Sequence, residues 1–122
     1  FAWNCSPVHT ATADARLAGI ALLQMGVRAV IVTGGHATGH DIVDVLVTPE
    51  GVHELRASRE AGRSTHGTGC AFSASLAAHL ALDHPMADAV VLAQSFVADA
   101  IRHGFDLGSG SHGPMHHLAS RR

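Results

Sequence analysis

The sequence predicts an α/β fold in which helices flank a mainly parallel sheet that carries one antiparallel hairpin. Three observations lead there. Apolar residues recur at helical spacing over residues 12–23, a short and nearly continuous apolar run follows directly, and two β-prone runs are then joined by a turn.

Taken in order, Thr12 is placed to cap a helix whose apolar positions Leu17, Ile20, Ala21 and Leu23 share a face, and Gly26 supplies the stop. The run RAVIVTGG comes next and ends in paired glycines. An apolar run of that length directly after a helix predicts a strand buried on both faces, as in a parallel sheet covered by helices. Residues Asp44 to Thr48 and Val52 to Arg56 are the β-prone runs, and Pro49-Glu50-Gly51 between them is turn chemistry, so a hairpin is expected at the sheet edge. A polar stretch from Ala57 to His66 leads to GTGC, which opens a small-residue helix reaching about Leu82 with Phe72, Leu76 and Leu80 on one face. Pro85 opens a further helix in which Val90, Val91, Phe96, Val97 and Ile101 are apolar, and Gly104 ends it. The tail from Leu107 to Arg122 is rich in Gly, Ser and His, and periodicity alone makes it flexible.

With 122 residues, 47% of them hydrophobic and 15% charged, the chain has material for a buried core, and one domain over 1–122 is expected. It begins at Phe1 without a methionine, and FAWNCSP reads as the interior of a longer protein, so the domain is expected to be incomplete. No stretch approaches the roughly 20 apolar residues of a membrane helix, and no leader pattern opens the chain. A soluble, cytoplasmic protein without a membrane partner is the expectation. Net charge is -2, from ten acidic and eight basic residues scattered along the chain, which leaves no positive stripe for nucleic acid. All the basic residues are arginines, so a bound phosphate must be held by Arg, by backbone N–H groups or from outside the chain. Cys5 and Cys70 are too far apart in sequence for a metal-site spacing and are read as reduced thiols. The eleven histidines are dispersed; neither His36 with His40 nor His116-His117 has further ligands at a recognisable spacing, and no metal site is expected from them.

The chemistry concentrates in STHGTGCAFSASLAAHLA, where Gly67 and Gly69 run into a helix. Glycine lets backbone approach a ligand closely, and the first N–H groups of a helix lack internal partners and carry partial positive charge. The amides of Gly67, Thr68, Gly69 and Cys70 are therefore candidates for stabilising the oxygens of a transferring phosphoryl group without any lysine. The competing reading is structural: the glycines shape a loop and Thr68 caps the helix. Cys70 favours the first reading, because a helix N-terminus favours the thiolate form of a thiol in its first turn, and a thiolate can take a proton from a substrate hydroxyl. Taken without its neighbours, Cys70 is more often a small packing residue.

The strings STHGTGCAFSASLAAHLA, VIVTGGH with DVLV downstream, and IRHGFDLGSGSHGPMHHL resemble the corresponding parts of hydroxymethylpyrimidine/phosphomethylpyrimidine kinases of thiamine biosynthesis, within the ribokinase-like superfamily. The resemblance runs from about Val27 to the end. It implies the carboxy-terminal half of a ribokinase-like fold, the nucleotide at the carboxyl ends of the strands, and ATP-dependent phosphorylation of hydroxymethylpyrimidine or its monophosphate. Gly67, Thr68 and Gly69 then correspond to the family's anion hole and Cys70 to its catalytic base, where most superfamily relatives carry Asp. Thr33, Gly35 and His66 are the implied nucleotide contacts, with His66 equally able to brace the loop. The family's lysine before the paired glycines is replaced by Thr33, which can hydrogen-bond a phosphate but brings no charge. Mg²⁺ is implied with ATP, but the family's acidic Mg²⁺ motif and most of its substrate pocket belong to an amino-terminal half that this sequence does not contain. Asp44 is read as a solvent-facing or turn residue in a structural role, although the resemblance places a matching DVL close to the nucleotide half of the site, and Arg56, Arg59 and Arg63 either lean over ATP phosphates or are solvated. The resemblance also predicts that SHGPMHH packs near the active half, and it admits a homo-oligomer of the full-length protein. Two rivals remain: a pyridoxal or pyridoxine kinase of the same superfamily, and a non-catalytic domain that binds a nucleotide or pyrimidine as a sensor.

Overall fold

The computed structural model describes residues 12–35, 38–62, 66–110 and 112–119. Cys5, His36 and Arg63 fall outside them. The described chain forms two compact units, divided between Arg59 and Glu60.

The first unit contains helix α1 (Thr12–Leu23) and strands β1 (Val30–Val32), β2 (Asp41–Thr48) and β3 (Gly51–Ser58). Thr12 is the first residue of the helix, and Gly26 follows its end at a φ of 99°, a conformation that glycine adopts without strain. The strands form a three-stranded sheet in the order β1-β2-β3. Both pairings are antiparallel, with Val30 opposite Val47 and Val32 opposite Val45 in one, and Thr48 opposite Gly51 in the other. The hairpin at Pro49-Glu50 is as expected, although β2 begins at Asp41. The parallel character is corrected: among the described residues no strands pair in parallel. An apolar run reports burial on both faces of a strand and is silent about the direction of its neighbour.

Because residues opposite each other in a sheet share a face, Val30, Val32, Val45 and Val47 line one side of β1 and β2. Helix α1 lies on that side. A methyl group on Gly19 would stand 2.6 Å from a Val47 methyl and 3.5 Å from one of Val32, so the lack of a side chain at Gly19 lets the helix approach closely. Arg16 on α1 reaches Glu54 on β3 at 3.6 Å, and Glu54 also pairs with Arg56. Asp44, Val45, Leu46 and Val47 are all buried, so both faces of β2 are covered along four successive residues. The helix does not bury every apolar residue it carries: Leu17, Ile20 and Leu22 are exposed.

The second unit contains α2 (Thr68–Ala81) and α3 (Met86–Arg102), which pack on each other. Between them Asp83 takes a φ of 62°, and the amides of Leu82, Asp83 and His84 close the carbonyls of the last turn of α2. Pro85 is the N-cap of α3, where its missing N–H costs nothing. Arg102 at the far end of α3 bonds to Glu60 and Asp99, which holds its guanidinium further toward the charged form.

The tail is ordered by packing that its composition does not announce. Met115 is buried in a cluster with Ala71 and Ala100, lined by Phe96, Val97 and Ile101. The His116 N–H donates to the Ala100 carbonyl at 2.9 Å, the Phe105 N–H donates to the Pro114 carbonyl at 3.0 Å, and the two rings of Phe105 and His116 stack with centroids 4.8 Å apart. Among the described residues no helix is long and apolar enough to cross a membrane.

Candidate active site

In the second unit Gly67 is the N-cap of α2 at φ 81°, ψ 8°, and no side chain caps the helix. The structural alternative for Thr68 is thereby corrected: it is the first helical residue, and its hydroxyl does not cap. Gly67 must be glycine for backbone reasons alone, because a side chain in the left-handed region is strained. Its carbonyl accepts the first helical bond, from the Ala71 N–H at 3.0 Å. The N–H groups of Thr68, Gly69 and Cys70 precede that bond, and none has a partner within the helix.

Gly69 is different from Gly67. Its φ is not positive, it is exposed, and a Cβ built there meets no described atom within 4 Å. Neither backbone strain nor crowding in the described structure demands glycine at this position. The Gly69 N–H is itself one of the amides that have no partner within the helix. Cys70 is a free, exposed thiol in the same turn. Ser73, one turn further on, donates its hydroxyl to the Gly69 carbonyl at 2.9 Å. His66 is exposed and precedes the turn.

The tail supports this turn from inside the unit. Met115 packs on Ala71, the residue after Cys70, and its terminal methyl lies 3.8 Å from where a Gly67 side chain would begin. Of SHGPMHH, residues 112–117 are described, and their Met115 packs beside the glycine turn that opens α2.

In the first unit Thr33 is exposed at the carboxyl end of β1, followed by Gly34 and the exposed Gly35. Gly34 lies against β2 so closely that a Cβ would run into the Val43 carbonyl, and its N–H donates to Asp44 Oδ1 at 2.8 Å. Asp44 is thus not solvent-facing, as the sequence reading had it, but 3% exposed and bound to backbone. Burial of a carboxylate is tolerated where it accepts hydrogen bonds of this kind. Arg59 is exposed, yet its guanidinium is held by backbone: Nη1 donates to the Gly35 carbonyl and Nε to the Gly39 carbonyl, each at 2.9 Å. Arg56 pairs with Glu54 at 3.0 Å.

Among the described residues no three His, Cys, Asp or Glu side chains gather into a cation site.

The sequence pattern of the phosphomethylpyrimidine kinase family matches residues 5–116. The chain belongs to this family. Similar members include the hydroxymethylpyrimidine/phosphomethylpyrimidine kinase of Streptomyces coelicolor, 42% identical over 85% of this chain and 38% of that protein. The enzyme of the same name from Staphylococcus aureus is 40% identical over 79% of this chain and 35% of its own length. A chloroplastic bifunctional thiamine biosynthetic enzyme of Arabidopsis thaliana is 43% identical over 87% of this chain and 21% of that protein. The chain thus spans between about a fifth and two fifths of the length of these relatives.

Solved structures agree on the fold. The pyridoxal kinase of Staphylococcus aureus, in complex with AMP-PCP and pyridoxal, superposes with a TM-score of 0.85 at 28% identity, over 93% of this chain and 42% of that one. The ADP complex of Bacillus subtilis pyridoxal kinase gives 0.82 at 32% identity, over 92% and 42%. The ribokinase-like α/β class is therefore shown for this member of the phosphomethylpyrimidine kinase family, with an antiparallel sheet in the portion described.

Proposed function

We propose that this chain is the carboxy-terminal part of one kinase domain that uses ATP to phosphorylate hydroxymethylpyrimidine, its monophosphate, or both. The observation that carries the reading is the start of α2, where three amides lack a partner within the helix, Cys70 presents an exposed thiol, and a Cβ at Gly69 would meet no described atom within 4 Å, in a chain similar to kinases of that name. Gly67, Thr68 and Gly69 hold the oxygens of the moving phosphoryl group, with Gly67 setting the turn and the amides of Thr68, Gly69 and Cys70 donating. Preorganised donors of this kind stabilise the charge that builds on those oxygens during transfer. With the hydroxymethyl group as acceptor, its oxygen forms a bond to the γ-phosphorus while the bond from that phosphorus to the bridging oxygen of ADP breaks. The displaced hydroxyl proton goes to the Cys70 thiolate. A phosphate acceptor is already ionised near neutral pH and asks less of Cys70.

Thr33, Gly35 and His66 are assigned to nucleotide contact in the same reading. The Thr33 hydroxyl offers a hydrogen bond where a lysine would offer a charge. Mg²⁺ travels with ATP and draws its protein ligands from outside this chain. The enzyme works in the cytoplasm, with a small pyrimidine and ATP as its partners, and the full-length protein is compatible with a homo-oligomer.

A second reading, pyridoxal phosphorylation, is favoured by the structural similarity to pyridoxal kinases. Full-length protein offered ATP with hydroxymethylpyrimidine, its monophosphate or pyridoxal separates the two. ADP release that requires a pyrimidine supports the first reading, release only with pyridoxal supports the second, and tight nucleotide binding without release for any acceptor leaves a sensor.

A further inference from the structure

Two consecutive glycines after a strand are the most freely moving backbone a chain can contain, and a ligand that needs them in one conformation must order them on binding. Here that ordering is done in advance by two side chains. Asp44 accepts the Gly34 N–H at 2.8 Å. The peptide group is planar and trans, so fixing this N–H toward Asp44 turns the Thr33 carbonyl the opposite way and sets the direction in which the exposed Thr33 leaves the sheet. Arg59 acts one residue later. Its guanidinium bonds the Gly35 and Gly39 carbonyls at 2.9 Å each, and its own N–H donates to the His40 carbonyl at 2.8 Å, extending the ladder between β2 and β3. Both guanidinium bonds are charge-assisted, and the rigid fork of Nε and Nη1 fixes two carbonyls relative to each other as a flexible ammonium cannot.

We propose that Arg59, together with Asp44, is a positioning residue that holds Thr33-Gly34-Gly35 in the conformation that receives an ATP phosphate. This rests on the kinase function proposed above. It assigns Arg59 a role through the backbone it grips, and it predicts a cost confined to the nucleotide.

The test uses the full-length protein, with KM for ATP, KM for the pyrimidine and kcat measured by ADP release, and the affinity for AMP-PCP measured by calorimetry. Arg59→Gln should raise KM for ATP and weaken AMP-PCP by about tenfold, the scale of one charge-assisted bond partly exposed to water, with kcat and the pyrimidine KM near wild type. Arg59→Lys keeps the charge but can grip one carbonyl at a time, and should fall between. Arg56→Gln removes an equal charge from β3 and should match wild type. If Arg59→Gln lowers only the melting temperature while both nucleotide constants stay within about twofold, the positioning role is wrong. It is also wrong if Arg56→Gln raises KM for ATP as much, since the effect would then be long-range charge. Wild-type protein that neither binds AMP-PCP nor releases ADP overturns the kinase reading itself, and this inference with it.

Discussion

Replacing Gly69 by Ala separates a glycine kept for the fold from one kept for a ligand. The structure places nothing described within 4 Å of the new methyl group, and the backbone at Gly69 is not in the left-handed region. Alanine is favoured over glycine in a helix interior by about 1 kcal/mol, and part of that gain applies in the first turn, so folded stability should hold or rise slightly. If the amides of α2 hold phosphoryl oxygens as proposed, the same methyl group stands beside the Gly69 N–H that those oxygens must reach. Losing one such donor costs about a hundredfold in turnover, and a larger side chain such as Val costs at least as much. Gly67→Ala is the counterpart. At φ 81° a Cβ costs about 1–2 kcal/mol, while the nearest described atom, the Met115 methyl at 3.8 Å, is an ordinary contact, so the penalty is conformational rather than a clash. Thermal melts and ADP release on the two full-length variants should thus diverge: Gly67→Ala melts lower, and Gly69→Ala melts as wild type but turns over about a hundredfold more slowly. A Gly69→Ala enzyme within about threefold of wild-type turnover would refute the argument and return the glycine to the loop.

Cys70→Ala in the full-length enzyme should lower turnover of hydroxymethylpyrimidine by about 10²–10⁴-fold with little change in AMP-PCP affinity, and Cys70→Asp should recover part of the loss. Near-normal turnover of hydroxymethylpyrimidine by Cys70→Ala would remove the thiol from the mechanism. The 122-residue chain on its own should release no ADP and should self-associate, because relatives are far longer and Leu17, Leu22, Met25 and Val27 are exposed. A soluble monomer with a sharp melt, or robust turnover, would contradict that.

What was legible beforehand follows how local each signal is. The end of α1 at Gly26, the hairpin at Pro49-Glu50 and the start of α2 at GTGC each depend on the conformational preferences of a few adjacent residues, and all three were readable. The roles of Gly67 and Gly69 were not separable, since both are glycines in one loop and only their dihedrals and surroundings tell them apart. Asp44 looked exposed because an acidic residue at the start of a β-prone run usually is; the Gly34 amide ten residues earlier is what permits its burial. Arg59 stood out only as one of three arginines that either lean over ATP phosphates or are solvated; its grip on backbone was not readable, since its acceptors are carbonyls twenty or more residues away.

By itself the sequence determined the family, the identity and order of the helices and hairpin, and the glycine turn that opens α2, because these depend on side-chain type and short-range spacing. Tertiary structure alone decided that β1 runs antiparallel to β2, that Met115 braces the α2 turn, and that Asp44 and Arg59 grip the glycines after β1. Each of those is a contact between segments distant in the chain, set by which partner satisfies a buried donor or fills a space, and no local pattern encodes the partner.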